Sequence, residues 1–302
     1  HTTYRGYDVY GPPPPSSGGV AVAEMLNILE TFDLKKHGRW SVETNHLMIE
    51  AMKRAFADRA RFLGDPAFTE IPDHLVTKDY AKKLAAGIDL MKATPSAILA
   101  PEIALDKEGD STTHFSVIDK DGMAVSNTYT LENSYGNRVV VRGAGYILNN
   151  EMTDFNPRPG FTSRTGTIGT KPNQVEPGKR MLSSMTPVIV RKDGKPVLVT
   201  GSPGGRTIIN TVLCVVVNVI DFDMPIREAV DAPRTHHQWF PDAARFEGTK
   251  DHPELVAKLK AHGHTVTDHR QGDGHSIWID PKTGVRHGAA DKRLDGKAIG
   301  TP

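Results

Sequence analysis

The sequence has a single cysteine, Cys214, among its 302 residues. One cysteine cannot form a disulfide bond within the chain, and it cannot build a cysteine-based metal site. Because Cys214 lies in an apolar segment from Ile208 to Phe222, we expect it to be a small buried hydrophobic residue. The redox compartment stays undecided, since a lone cysteine fits either an oxidising or a reducing environment.

Long hydrophobic runs and an excess of charge are lacking as well. The longest apolar segment is interrupted by polar residues such as Asn210, Asn218 and Asp221, so no stretch of about 18 residues predicts a membrane span. Lys and Arg number 37 and Asp and Glu number 36, which gives a net charge of +1 and argues against nucleic acid or an anionic membrane as a partner. The first residues, His1 to Arg5, lack the pattern of a signal peptide and read like an interior segment of a longer chain.

The first part of the chain has mostly helical periodicity. Residues 1–19 contain four consecutive prolines and are expected to be irregular, forming an ordered loop that opens a helix rather than a polyproline recognition motif. Apolar residues at helical spacing predict helices over 20–32, from an N-cap at Ser41 to about residue 63, and over 78–86. Residues 93–110 read as a polar loop, where a chain is accessible to cleavage.

After residue 112 the period of the sequence changes from 3.6 to 2. Alternating segments flank three turn sequences and predict three hairpins, with turns at Asp119–Gly122, Lys192–Gly194 and Pro281–Gly284. Residues 205–221 predict a helix buried between layers, and 251–263 predict another helix. Hairpins and helices in this order predict an α+β protein, specifically a helix–sheet–sheet–helix (αββα) sandwich.

Ser111 and Thr112 stand where the period changes. A threonine is a poor nucleophile unless a base removes its proton. At the start of a chain, its own α-amino group, with a pKa of about 7.7–8.0, can act as that base. We therefore predict that the chain is cut between Ser111 and Thr112. The glycine-rich segment 201–205 precedes the buried helix, where backbone N–H groups can hold an oxyanion. No Gly-Lys-Ser/Thr follows, so nucleotide binding is not expected.

Several segments together resemble the γ-glutamyltranspeptidase (γ-glutamyltransferase) family of N-terminal-nucleophile hydrolases. They occur in the family's order and cover almost the whole chain: 4–10, 14–19, 55–65, 112–114, 148–152, 179–187, 200–205 and 232–239. The resemblance implies the αββα fold and autocatalytic cleavage of a precursor. It implies that 1–111 is the mainly helical C-terminal part of a large subunit and 112–302 a small subunit. The two subunits would form a heterodimer, and an upstream part of the large subunit would lie outside this sequence. The resemblance also implies that the protein is periplasmic or secreted.

The resemblance also implies an activity and the residues that perform it. The γ-glutamyl group of glutathione or a related amide would be transferred to an amino acid, a peptide or water through an acyl-enzyme. Thr112 would be the nucleophile, first in self-cleavage and then in catalysis, and Thr130 would orient it. Gly204 and Gly205 would form the oxyanion hole. No cofactor is implied.

The same resemblance assigns the residues that would bind the substrate. Glu151 and Asp154 would hold the substrate α-amino group, which is a sensible match of charge. Ser183 and Ser184 would contact its α-carboxylate. Glu132 stands where well-known members of the family have an asparagine in contact with the glutamyl group, so it also belongs to the expected substrate site.

Three departures from the family pattern leave alternatives open. Besides Glu132, Thr165 lies in the long loop 155–174, expected to be a lid, where bacterial members often have a tyrosine. The family arginine that pairs with the α-carboxylate lies upstream of this sequence. A cephalosporin-acylase-like amidase, or an uncleaved inactive precursor or binding protein of the same fold, are therefore the alternative interpretations.

The 13 histidines invite a metal interpretation. No His-Glu-x-x-His motif or comparable spacing occurs, so packing and surface roles are the better interpretation and no metal site is expected. His114 follows closely after the predicted nucleophile, and we expect it to make a structural hydrogen bond.

Overall fold

The computed structural model describes residues 1–103 and 113–300. Its α-helices are α1 (Gly18–Leu29), α2 (Leu34–His37), α3 (Val42–Phe62), α4 (Lys78–Ala86), α5 (Thr207–Ile220), α6 (Ile226–Asp231) and α7 (Pro253–Ala261). Its strands are β1 (Thr2–Tyr4), β2 (Tyr7–Tyr10), β3 (Thr113–Ile118), β4 (Ala124–Tyr129), β5 (Val188–Lys192), β6 (Lys195–Thr200), β7 (Thr235–His236), β8 (Ala244–Phe246), β9 (Val266–Asp268), β10 (His275–Ile279) and β11 (Arg286–Ala290).

The predicted helices and hairpins are confirmed. Helix α3 begins where expected because the Ser41 hydroxyl accepts a hydrogen bond from the Thr44 N–H (3.0 Å) and so caps the helix. Helix α4 has the predicted bounds, and the nearly all-apolar helix α5 is buried. The three expected hairpins are β3–β4, β5–β6 and β10–β11, all antiparallel. Cys214 is fully buried in α5, as expected.

The prediction that residues 1–19 are irregular is wrong for its first half. Strands β1 and β2 pair with each other, and β2 pairs with β5, with Val9 opposite Val190. These strands are only three and four residues long. Their formation therefore depends on a partner strand about 180 residues away rather than on a local sequence pattern. The proline run itself is an ordered loop that opens α1, as expected, and the Ser16 N–H donates to the Pro13 carbonyl (3.1 Å).

Two sheets stack at the centre of the molecule. The larger has six strands in the order β1-β2-β5-β6-β10-β11, and the β3–β4 hairpin lies on one of its faces. Two side chains of the hairpin bond to the backbone of the larger sheet: the Ser116 hydroxyl donates to the His275 carbonyl, and the Ser126 hydroxyl to the Thr200 carbonyl (2.9 Å each). The main hydrophobic core contains residues of this sheet together with those of α1, α3 and α5.

The outward face of the β3–β4 hairpin carries exposed apolar side chains. Phe115 and Val117 are each 50% exposed and Val125 is 46% exposed. The α+β class is confirmed, and the described residues form three layers in the order helices, sheet and hairpin. Two stacked sheets with helices packed against the larger one fit the αββα prediction. Within residues 1–103 and 113–300 no helix is both long and apolar enough to cross a bilayer.

A third, small sheet, β7-β8-β9, lies beside α3 and α7 and was not expected from the sequence. Nearby in α3, the carboxylate of Glu50 is completely buried. It is held by Lys53 Nζ at 3.0 Å, Arg54 Nη1 at 2.6 Å and the Thr94 N–H at 3.0 Å. Burial by itself raises the pKa of Glu50, but Lys53, Thr94 and Arg54 outweigh it and lower the pKa to about 2. This cluster therefore ties α3 to the loop that contains Thr94.

Replacing Glu50 by alanine is expected to lower the free energy of unfolding by about 3–5 kcal/mol, because two buried cations lose their counter-charge. The measurement is urea unfolding followed by tryptophan fluorescence. The exposed Glu70, changed to alanine, is the control and should shift stability by no more than about 0.5 kcal/mol. Equal stability of the two variants would show that the buried cluster contributes nothing.

Candidate active site

Most of the residues predicted to act together lie around one cavity of about 510 Å³. Those that line it are Thr130, Glu132, Asp154, Ser183, Ser184 and Gly205. Glu151 lies beside Asp154, and Gly204 lines an adjoining cavity of about 380 Å³ that shares Thr130 and Glu132 with the first. Thr112, the predicted nucleophile, and Ser111 lie outside the described residues.

The end of β4 places Thr130 and Glu132 at the cavity. Tyr129 is paired with Thr113, the first residue of β3, and Thr130 follows directly. The chain then turns sharply, because Glu132 has a φ of 68° and its N–H donates back to the Thr130 hydroxyl at 2.8 Å. A positive φ is unfavourable for glutamate, so this residue is held in a strained conformation that points to a functional constraint.

Three carboxylates form an acidic cluster at the cavity. Glu132, Glu151 and Asp154 each have an oxygen within 4.8 Å of the other two. Burial raises the pKa of Asp154 to about 7, and the negative charge of Glu151 adds to the rise, while Arg59 and Arg206 oppose it. Burial also raises the pKa of Glu151. Crowded carboxylates with raised pKa values favour the binding of a cationic group, since its positive charge relieves their repulsion.

The two serines also line the cavity and are positioned by contacts with the first half of the chain. Ser183 donates its N–H to the Pro15 carbonyl (3.0 Å), and its own carbonyl accepts from the N–H and the hydroxyl of Ser17 (2.9 and 2.7 Å). The Ser183 hydroxyl accepts from the Met185 N–H at 3.1 Å. The ordered proline loop thus fixes the segment that carries Ser183 and Ser184.

Asn173 connects the segment that carries Asp154 with the segment that carries the two serines. Its side-chain nitrogen donates to the Asp154 carbonyl (2.7 Å), and its side-chain oxygen accepts from the Leu182 N–H (2.8 Å), one residue before Ser183. Asn173 belongs to the long loop 155–174, which also contributes Phe155, Asn156 and Ile168 to the cavity wall. The loop expected to be a lid therefore forms part of the cavity wall.

Thr165, in the same loop, does not line the cavity. Its hydroxyl is 2.9 Å from that of Ser163. The neighbouring Gly166 carbonyl accepts a hydrogen bond from Arg206, the residue just before α5, and Arg206 does line the cavity. The contact between loop and α5 thus runs through Arg206, a residue that sequence reasoning did not single out.

Arg59 is a second cavity residue that sequence reasoning missed. It is 7% exposed, lies in the last turns of α3, and donates from Nε to the Ser17 hydroxyl (2.9 Å) and from Nη2 to the Ser184 hydroxyl (3.0 Å). The available signal was an arginine on a helix face shared with Ala55 and Phe56, since arginine is seldom buried unless it is paired. Its partners, however, cannot be read from local spacing.

The glycine-rich segment precedes α5 as expected. Gly204 and Gly205 have φ values of 127° and 55°, and a Cβ atom on Gly204 would come within 2.5 Å of the Thr207 hydroxyl oxygen. No hydrogen bond joins the N–H group of either glycine to another described residue. Two unpaired backbone donors beside a cavity can stabilise an oxyanion.

His114 makes structural hydrogen bonds, as expected. Its Nδ1 is 2.8 Å from the Thr128 hydroxyl and its Nε2 is 3.1 Å from the Ser116 hydroxyl. Burial lowers the pKa of His114 to about 3, with a smaller contribution from His275, so the ring is neutral at physiological pH. The ring also packs against Gly201, where a Cβ atom would be only 2.0 Å from it.

One cluster of possible metal ligands lies away from the cavity. His46, Glu50 and His264 have ligand atoms within 4.8 Å of one another, with His46 and Glu50 one helical turn apart in α3. Sequence reasoning missed this group because His264 comes from a distant loop. His46 Nδ1 is 2.7 Å from His264 Nε2, so the two rings are hydrogen-bonded to each other. Glu50 is already paired with Lys53, and a metal ion bound here would therefore face a buried ammonium group.

The chain is similar to known proteins along almost its whole length. The sequence model described as "Gamma-glutamyltranspeptidase" matches residues 1–301. The glutathione hydrolase proenzyme of Escherichia coli K12 is 48% identical over 292 residues, which cover 96% of this chain and 50% of that protein. The chain therefore spans about half the length of the curated relatives it matches.

Two solved structures extend the likeness to the fold. A γ-glutamyltranspeptidase from Pseudomonas nitroreducens, in complex with L-DON, is 43% identical; 63% of this chain covers all of that chain, with a TM-score of 0.57. A cephalosporin acylase from Bacillus halodurans is 28% identical over 98% of this chain and 51% of that chain, with a TM-score of 0.80. With a family match along nearly its whole length, the chain belongs to the γ-glutamyltranspeptidase family.

Proposed function

We propose that the full-length protein is a γ-glutamyltransferase and glutathione hydrolase. It takes the γ-glutamyl group from glutathione or a related amide and passes it to an amino acid, a peptide or water. The observation that carries the proposal is that a cluster of carboxylates and a pair of serine hydroxyl groups lie at the same cavity. Glu132, Glu151 and Asp154 suit an ammonium group, while Ser183 and Ser184 suit a carboxylate. A γ-glutamyl donor presents both groups on one carbon atom.

The proposed nucleophile is Thr112, freed as a new N-terminus by cleavage after Ser111. Thr112 is covalently joined to Thr113, which pairs with Tyr129 at the edge of the cavity, and Thr130 comes next on the opposite strand. The hydroxyl of Thr112 attacks the γ-carbonyl carbon, and its α-amino group takes up the hydroxyl proton and delivers it to the leaving amine. Water or an acceptor amine then attacks the resulting ester, which releases Thr112.

Gly204 and Gly205 are the proposed oxyanion hole. Their N–H groups are unpaired among the described residues and stand between the two adjoining cavities, with Gly205 on the larger and Gly204 on the smaller. The γ-glutamyl part would occupy the larger cavity. The leaving group and the acceptor would enter the smaller one, whose wall includes Tyr129 and Leu131.

A heterodimer is the proposed assembly, with 1–111 as part of a large subunit and 112–302 as the small subunit. Residues 112–302 number 191 of 302, or 63%, which equals the share of this chain that covers the whole Pseudomonas nitroreducens chain. The upstream part of the large subunit is proposed to cover the exposed outer face of the β3–β4 hairpin, including Phe115 and Val117. A periplasmic or secreted location is proposed from the family resemblance alone.

An acylase that accepts glutaryl amides is the second candidate, since the chain is also similar to a cephalosporin acylase. A glutaryl group has no amino group to face Glu132, Glu151 and Asp154. Placing it there would bring no positive charge to relieve the repulsion among the three crowded carboxylates. The cluster of Glu132, Glu151 and Asp154 therefore favours γ-glutamyl donors over glutaryl donors.

Replacing Thr112 by alanine in the full-length protein is expected to abolish self-cleavage and to reduce γ-glutamyl release by more than about 10⁴-fold, because the nucleophile is lost. A denaturing gel and a γ-glutamyl-p-nitroanilide assay measure the two effects. Ser111→Ala is the control and should still be cleaved, since it keeps Thr112. Cleavage and activity in Thr112→Ala would show that another residue is the nucleophile.

Binding of L-glutamate is expected to weaken about tenfold between pH 8 and pH 6. The pKa of Asp154 is about 7, so its carboxylate is mostly ionised above that pH and mostly protonated one unit below it. Only the ionised form attracts the ammonium group of glutamate, which stays charged through this range. Calorimetric titration of the uncleavable Thr112→Ala protein gives the dissociation constant without turnover.

Glutarate, which lacks the ammonium group, is the matched ligand for this titration and should not show the same weakening. The Asp154→Asn variant should bind glutamate weakly at both pH values. A dissociation constant for glutamate that is independent of pH would mean that Asp154 does not face the amino group.

Changing Glu132 to asparagine is expected to lower the preference for γ-glutamyl-p-nitroanilide over glutaryl-p-nitroanilide by about tenfold, because one of three charges facing the amino group is removed. The ratio of the two kcat/KM values is the measurement. Asn133→Asp, next to it on the cavity wall, is a control that adds a negative charge instead of removing one and should not lower the ratio. An unchanged ratio in Glu132→Asn would place Glu132 outside the recognition of the amino group.

A further inference from the structure

We infer that Arg59 is a positioning residue that makes Ser184 a hydrogen-bond donor toward an anionic substrate group. This inference rests on the proposed γ-glutamyl function and identifies a residue behind its carboxylate site. It begins with the direction of two hydrogen bonds. A guanidinium group has only donors, so in both contacts of Arg59, to Ser17 and to Ser184, the serine oxygen must be the acceptor.

The proton of the Ser17 hydroxyl is already used. It is donated to the Ser183 carbonyl at 2.7 Å, while the same oxygen accepts from Arg59 Nε. The bonds therefore run in one direction, from Arg59 through the Ser17 hydroxyl to the backbone of Ser183. This relay anchors the guanidinium beside the segment that carries both serines.

The proton of the Ser184 hydroxyl has no such use. Its oxygen accepts from Arg59 Nη2, and no described residue accepts a hydrogen bond from it. The Ser183 hydroxyl is in the same state, since its oxygen accepts from the Met185 N–H and no described residue accepts its proton. Two neighbouring hydroxyl groups that line the cavity thus have their donor function left for a ligand. Two adjacent donors match the two oxygens of a carboxylate.

The positive charge of Arg59 also favours an anionic group at the serines. Arg59 lowers the pKa of Asp154, so its positive charge acts inside the cavity as well as on the serines. Because Arg59 is almost fully buried, its charge is weakly screened and favours an anion at Ser184. A carboxylate bound there accepts a hydrogen bond from the Ser184 hydroxyl, which Arg59 makes a stronger donor because hydrogen bonds in a chain polarise one another.

The test compares donors that differ only in the groups on one carbon. γ-Glutamyl-p-nitroanilide has both an ammonium group and a carboxylate, 4-aminobutyryl-p-nitroanilide lacks the carboxylate, and glutaryl-p-nitroanilide lacks the ammonium group. In the full-length enzyme, Arg59→Gln is expected to raise KM for γ-glutamyl-p-nitroanilide about 10- to 100-fold, with kcat changed by less than about threefold. KM for 4-aminobutyryl-p-nitroanilide should change by less than about threefold.

Arg61→Gln is the matched control. Arg61 lies two residues further along α3, bonds to Asp58 and Glu102, and does not line the main cavity. It should affect both donors equally. An equal rise of KM for both donors in Arg59→Gln, or no rise at all, overturns the inference, because a merely structural arginine cannot distinguish a donor with a carboxylate from one without it.

A second variant keeps the inference testable if Arg59→Gln fails to fold. Ser184→Ala retains Arg59 and should show the same dependence on the donor carboxylate, whereas an equal effect on both donors contradicts the inference. In the double variant, the effect of Arg59→Gln should be smaller than in the wild type, since Arg59 acts through Ser184. A wild-type enzyme that releases product from glutaryl-p-nitroanilide alone would instead contradict the proposed function.

Discussion

The bridge between Ser16 and Ser183 is the constraint on which the cavity depends. It is a parallel backbone contact, and the Ser183 carbonyl accepts from both donors of Ser17. It joins the two halves of the chain at the segment that carries the two cavity serines, Ser183 and Ser184. Strand β2 adds to this junction by pairing with β5. Because these bonds connect one half directly to the other, cutting the peptide bond after Ser111 would remove none of them.

The cavity divides its recognition groups between the two halves. The segment before residue 112 supplies the proline loop and Arg59, and the segment after it supplies the carboxylates, the serines and the glycine pair. Burial raises the pKa of both Glu151 and Asp154, and the charge of Glu151 raises that of Asp154 further, which is unfavourable for the folded protein in the absence of a ligand. Such an arrangement is typical of a binding site rather than of a stabilising contact.

The regular elements of the fold were predictable where their signals are local. Helix α4 has the predicted bounds because the Thr77 hydroxyl caps it and apolar residues recur at helical spacing. The three hairpins follow from turn residues between alternating segments. Strands β1 and β2 were missed because they are too short to show a period, and their pairing with β5 is a property of the tertiary structure.

The same distinction separates the site residues that sequence could identify from those it could not. Glu132, Asp154, Ser183, Ser184 and Gly205 were named by resemblance, and the structure brings all of them to one cavity. Resemblance identifies groups expected to touch the substrate, but it does not identify the groups that set their hydrogen-bond direction. Arg59 acts on Ser184 across 125 residues of sequence. A hydroxyl group can donate or accept, and only the geometry of its neighbours decides which. Whether the Ser184 hydroxyl donates to a ligand or accepts from it is therefore determined by a residue that need not touch the ligand.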